Sequence, residues 1–161
     1  MKTHFVIAAG LLLSIVAAPN AQAIPLSQGA AAIARAVGDC SNPCTVQSNS
    51  GGRIVDFEDA GNAIRSGAKQ KLVIDGFCAS ACMVMADRAR PRACITSRAT
   101  FAYHKTNYNR PIPLSGDLRG WIVRHGGFPA FSGTPGIMPN DAARHFWPVC
   151  SGSQTVAGIS N

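Results

Sequence analysis

The run Lys71-Leu72-Val73-Ile74-Asp75-Gly76 constrains the fold more than any other stretch of this chain. Its apolar centre does not alternate with polar residues, which is the mark of a short strand buried on both faces. Gly76 is expected to close it. Ser80 to Arg88 follows with Ala81, Met83, Val84, Met85 and Ala86, a short buried helix. Ala93-Cys94-Ile95 and Thr100-Phe101-Ala102-Tyr103 then predict two strands around a polar turn. Upstream, Cys44 to Gln47 predicts a strand. Ile54 to Ile64 spaces Val55, Phe57, Ala60, Ala63 and Ile64 as a helix does, and Gly67 stops it. Strands alternating with helices predict an α/β fold, a parallel sheet flanked by helices.

The flanks are less patterned. Leu26 to Val37 is alanine-rich and predicts a first helix, while Asp117 to His125 and Asn140 to Trp147 predict two short ones. Asn107 to Gly116 and Phe128 to Pro139 are rich in glycine, proline and turn formers and are expected to be loops. Met1 to His4 is a short basic start, followed by an apolar run from Phe5 to Ala18 and by Ala21-Gln22-Ala23, a small-x-small cleavage pattern. Residues 1–23 are therefore expected to be a signal peptide, with 24–150 forming one domain and 151–161 a loose tail. The apolar run is shorter than the ~20 residues a membrane span needs, and nothing after cleavage is long enough to cross. Export to the periplasm or medium is the expected destination.

All six cysteines (Cys40, Cys44, Cys78, Cys82, Cys94 and Cys150) lie beyond the leader. An even count behind an export signal predicts disulfides, in a pairing that spacing does not choose. The Cys-x3-Cys spacings are also seen at zinc sites, but no histidine lies at short spacing to complete one, so neither metal nor cofactor is expected. The charge is +7, from 15 Lys and Arg against 8 Asp and Glu. The basic residues are scattered, with a loose cluster from Arg88 to Arg98 that no aromatic interleaves, so a nucleic-acid platform is not expected.

Three local features carry chemistry. Ser48-Asn49-Ser50-Gly51-Gly52 joins a strand to a helix, and its glycines let backbone N–H groups approach a ligand. In Asp75-Gly76-Phe77-Cys78-Ala79-Ser80-Ala81-Cys82 a serine stands where a buried strand turns into a helix. That is the logic of a nucleophile elbow, and equally the position of an ordinary N-cap. His104 closes the strand Thr100 to Tyr103, where a histidine can act as a general base. His125, beside Gly126, suits a helix C-terminal cation, and His145 has no evident partner.

Taken in order, these motifs resemble the Clp-type peptidase branch of the ClpP/crotonase superfamily, and in particular its small exported bacterial members. Asn49-Ser50-Gly51-Gly52 corresponds to the family's Ser-Pro-Gly-Gly turn, with Ser50 in place of proline. Gly76-Phe77-Cys78-Ala79-Ser80-Ala81 corresponds to the nucleophile segment, and Phe101-Ala102-Tyr103-His104 to the strand that ends in histidine. The resemblance spans residues 44–106. It implies a shortened, disulfide-stapled ClpP/crotonase-like sheet, with Ser80 as nucleophile and His104 as base. The backbone N–H groups of Gly52 and Ala81 would form the oxyanion hole, and the substrate would be a peptide or another acyl compound. The family's aspartate has no clean counterpart. It lies before a helix start that Met138-Pro139-Asn140-Asp141-Ala142-Ala143 resembles, and Asp141 and Asp117 are the nearest acids. The helix through which Clp rings assemble is not evident, so an ATPase partner is not expected. Cys78 and Cys82 flank Ser80, and a disulfide between them, or from Cys82 to Cys94, would stiffen the elbow. The alternative function is a non-catalytic exported scaffold or peptide-binding protein that keeps the fold.

Overall fold

The computed structural model describes residues 26–38, 40–67 and 71–151; the expected signal peptide, 1–23, and the expected tail beyond Ser151 lie outside them. The order is α1 (Leu26–Val37), β1 (Cys44–Asn49), α2 (Ile54–Ser66), β2 (Leu72–Ala79), α3 (Ala81–Arg88), a 3-10 turn (Arg90–Arg92), β3 (Ala93–Ile95), β4 (Thr100–Tyr103), α4 (Gly116–Arg124), β5 (Gly136–Met138) and α5 (Asn140–Ala143). The mixed α/β architecture, a sheet flanked by helices, is as the alternation predicts.

β2 is the spine of the sheet. β1 pairs with it in parallel on one side, and on the other β3 lies along Leu72–Ile74 while β4 lies along Phe77–Ala79. β3 and β4 thus act as two halves of one interrupted strand. The break is built around Asp75, which is 7% exposed. Its carboxylate accepts hydrogen bonds from the Thr96 hydroxyl (2.6 Å) and Arg98 Nε (3.0 Å), and pairs with Arg98 Nη2. These partners give a buried charge what burial would otherwise deny it, and the Arg98 hydrogen bond holds the carboxyl below its ordinary range.

Three expectations are corrected here. Gly76 does not end β2; the strand runs on to Ala79. A Cβ at Gly76 would stand 2.0 Å from the Gln47 carbonyl oxygen, at the point where the β1–β2 register shifts between Val46 and Ser48. Glycine is needed there for close backbone approach within a strand. Second, the sheet is not wholly parallel. Gly136–Met138, expected as loop, pairs antiparallel with β4, Phe101 opposite Met138. The last helix is also shorter than expected, Asn140–Ala143.

The core forms where α2 and α3 cover the sheet. Ala81 to Ala86 are all fully buried, so α3 is apolar all round, as an enclosed helix must be. α2 meets it through Gly61, where a Cβ would lie 2.6 Å from Arg88 Cβ and 2.7 Å from the Met85 carbonyl oxygen. Trp147 stacks on Phe101 at 4.4 Å and donates its indole N–H to the Ala86 carbonyl (3.0 Å). All six cysteines are paired, Cys40–Cys44, Cys78–Cys82 and Cys94–Cys150. The last ties the segment after α5 to β3 and the second spans the β2–α3 junction.

Candidate functional site

Parallel pairing brings the C-terminal ends of β2 and β4 side by side, Ala79 opposite Ala102, and each strand is followed at once by a residue expected to belong to the site. Ser80 follows β2 and His104 follows β4. Both are half-buried and both line a cavity of about 450 Å³, together with Gly52, Arg53, Ile54, Thr106, Asn107, Tyr108 and Phe131. Open parallel sheets bind ligands at this end of their strands.

Ser80 has φ 53° and ψ −116°, and its side chain makes no capping hydrogen bond to α3. An N-cap serine normally sits in the extended region with its oxygen on an N–H of the first turn. Neither condition holds, so the cap role is excluded. Such a conformation costs a non-glycine residue about 1–3 kcal/mol and persists only where its surroundings impose it. Here the Ser80 N–H donates to the Ala102 carbonyl (2.8 Å), and the Ser80 carbonyl accepts from Met83 (3.0 Å) and Val84 (3.3 Å). The Cys78–Cys82 disulfide brackets the same turn.

The Gly51-Gly52 turn packs directly on this elbow. Gly51 has φ +88°, and a Cβ there would stand 2.7 Å from the Ala79 carbonyl oxygen, 2.9 Å from the Ala81 nitrogen and 3.1 Å from Ser80 Cβ. The Asn49 side chain fixes the turn: its oxygen accepts from Gly51 N–H (2.8 Å) and its amide donates to the Ala36 carbonyl (3.2 Å). The N–H groups of Gly52 and Ala81 have no backbone acceptor among the described residues. Ala81 opens α3, where unpaired N–H groups and the positive dipole end favour an anion.

His104 Nδ1 lies 2.5 Å from the Lys105 carbonyl oxygen, and its ring meets Phe131 edge-on with centroids 5.2 Å apart. It makes no hydrogen bond with Ser80; the two groups share the cavity. Neither acid considered as its partner reaches it. Asp117 is taken up by Arg90 (2.5 Å), by the Ser115 hydroxyl (2.7 Å) and by its own helix's Leu118 N–H (2.8 Å), a set that with Asp87 fastens α4 to the end of α3. The Arg90 hydrogen bond, foremost, holds the Asp117 carboxyl far below the usual range. Asp141 lines a second cavity, of about 520 Å³, with Tyr103, Trp121, His125 and His145. His125 there caps α4, its Nδ1 2.8 Å from the Trp121 carbonyl oxygen and its ring stacked on Trp121. Among the described residues no cluster of three or more His, Cys, Asp or Glu is placed to hold a metal ion.

Sequence reasoning missed Lys105, Tyr108 and Phe131. Tyr108 and Phe131 sit in turn-rich segments without periodicity, and the Lys105 group is a carbonyl that any residue would supply. What the fold and site define is a disulfide-braced α/β protein in which a serine at positive φ and a histidine line one cavity. Comparisons with protein families, curated proteins and solved structures found nothing that matches this chain.

Proposed function

We propose that this protein is an exported serine hydrolase of the Clp-peptidase type, acting on a peptide or another acyl compound. Ser80 Oγ attacks the substrate carbonyl carbon and passes its proton to His104 Nε2. The oxygen takes up the displaced electron pair and is stabilised by the Gly52 and Ala81 N–H groups. Collapse of that intermediate expels the leaving group, protonated by His104, and leaves an acyl ester on Ser80. Water, deprotonated by His104, then hydrolyses the ester and restores the serine.

The observation that carries this reading is the conformation of Ser80. A serine held at positive φ between strand and helix, with its hydroxyl not spent as a cap, supports a nucleophile elbow. The shared cavity with His104 and the packing of Gly51 against the Ala81 nitrogen support the same roles. Export rests on the leader pattern and on the three disulfides, which persist in oxidising compartments. No helix among the described residues is long and apolar enough to cross a membrane.

The test is turnover of an activated ester by the oxidised protein. An acyl-enzyme burst is expected, with the burst lost in Ser80→Ala and strongly reduced in His104→Ala. Turnover that survives Ser80→Ala unchanged would refute the assignment. A folded protein with no burst would favour the peptide-binding scaffold instead.

A further inference from the structure

The hydrolase reading leaves His104 without the carboxylate that usually orients a catalytic imidazole. We propose that the backbone carbonyl of Lys105 fills that place and that the loop from Phe128 to Gly133 holds it there, an inference that rests on the roles given to Ser80 and His104.

The carbonyl oxygen stands 2.5 Å from His104 Nδ1 and can only accept. Nδ1 must therefore carry the proton, which leaves Nε2 as the acceptor, the tautomer a general base needs. A carbonyl on the adjacent residue would be a loose support if its peptide were free to turn. It is not free. The Lys105 N–H donates to the Pro129 carbonyl (2.8 Å), Lys105 bridges to Pro111, and the Thr106 N–H donates to the Arg110 carbonyl (2.6 Å). Two residues beyond Pro129, Phe131 packs edge-on against the His104 ring. The Phe128–Gly133 loop thus holds the Lys105 N–H and the His104 ring, while the Thr106–Arg110 turn holds the peptide that carries the carbonyl. This loop lies in the stretch just before the helix start at Asn140, so a backbone clamp occupies the part of the chain where an orienting acid is missing. A neutral carbonyl sets the tautomer but offers less to the imidazolium than a carboxylate does, and the pair is slower than a full triad for that reason.

The experiment is long-range 1H–15N correlation of the histidines in the full oxidised protein, with His104 assigned by His104→Gln. It is run beside fluorophosphonate labelling of wild type, Phe131→Ala and Phe131→Tyr. Expected are an Nδ1–H tautomer for neutral His104 and labelling about tenfold slower in Phe131→Ala, with a mixed tautomer signal, both restored in Phe131→Tyr. A protein that labels at Ser80 but carries its neutral proton on Nε2 would overturn the clamp and leave the hydrolase reading standing. Labelling and tautomer both unmoved in Phe131→Ala would overturn the loop's part in it. An Nδ1–H tautomer in a folded protein that does not label would overturn the parent reading, and the catalytic role of the clamp with it.

Discussion

Replacing Gly51 by alanine is expected to disable the elbow out of proportion to its effect on the fold. Two penalties combine at this position. The backbone stands at φ +88°, where an L side chain costs about 1–2 kcal/mol. The new methyl would also stand 2.7 Å from the Ala79 carbonyl oxygen and 2.9 Å from the Ala81 nitrogen, both backbone atoms that no rotamer change can move aside. Overpacking of this kind costs about 1–3 kcal/mol. Together they make roughly 3 kcal/mol, a Tm lower by about 10 °C in a domain of this size, which a stability of 5–15 kcal/mol survives. Relief requires the Gly51 turn and the Ala81 N–H to separate, which removes one of the two proposed oxyanion donors. Loss of one such donor costs about a hundredfold in rate. Gly38→Ala is the control: its φ is +75° but nothing lies within 4 Å of the added carbon, so only the backbone penalty applies. Thermal melts and fluorophosphonate labelling rates on both variants separate the effects. Gly38→Ala should melt about 5 °C low and label normally. Equal labelling by the two variants, at wild-type rate, would refute the contact between turn and elbow as the source of the donor geometry.

The disulfides should divide stability from reactivity. Cys94 and Cys150 close a separation of 56 residues and Cys78 and Cys82 one of 4, so removing them costs about 4 and about 2 kcal/mol in denaturant melts. Labelling should fall more in the Cys78→Ala/Cys82→Ala protein, and the reverse order would contradict the bracing of Ser80. Asp117→Asn should lower stability by only about 0.5–1 kcal/mol, because the Arg90 contact it loses is half exposed and screened by water, and Asp141→Asn should be nearly neutral. Neither should slow labelling, and a drop of a hundredfold in either would identify the acid that His104 lacks. Asp75 is depressed in the folded protein, so its stabilisation is complete above the ordinary aspartate range of about 4 and is lost as pH falls through the lower folded value. The Tm gap between wild type and Asp75→Asn should be constant near neutrality and close in acid; a gap that widens below about pH 4 would reverse the sign of this linkage.

What the sequence disclosed and what it withheld have physical causes. The apolar run Leu72–Ile74, the buried α3 and the end of β4 follow from side-chain pattern, which puts Ser80 at a helix start and His104 at a strand end; the end of β2 does not follow from it. Gly76 misled because glycine most often punctuates, whereas here it permits a 2.0 Å approach that only a missing Cβ allows. β5 has three residues amid prolines and glycines and exists because β4 offers a free edge, a tertiary cause that local pattern does not carry. The disulfide pairing depends on distances between elements. The Lys105 carbonyl was illegible for a simpler reason: a backbone acceptor has no letter in the sequence.

Mass-spectrometric mapping of a fluorophosphonate adduct on the oxidised protein tests the central claim most directly. A single adduct on Ser80, absent from the His104→Ala protein, is the predicted result. An adduct on any other residue, or none on a protein shown to be folded, would contradict the assignment of this site as a serine hydrolase centre.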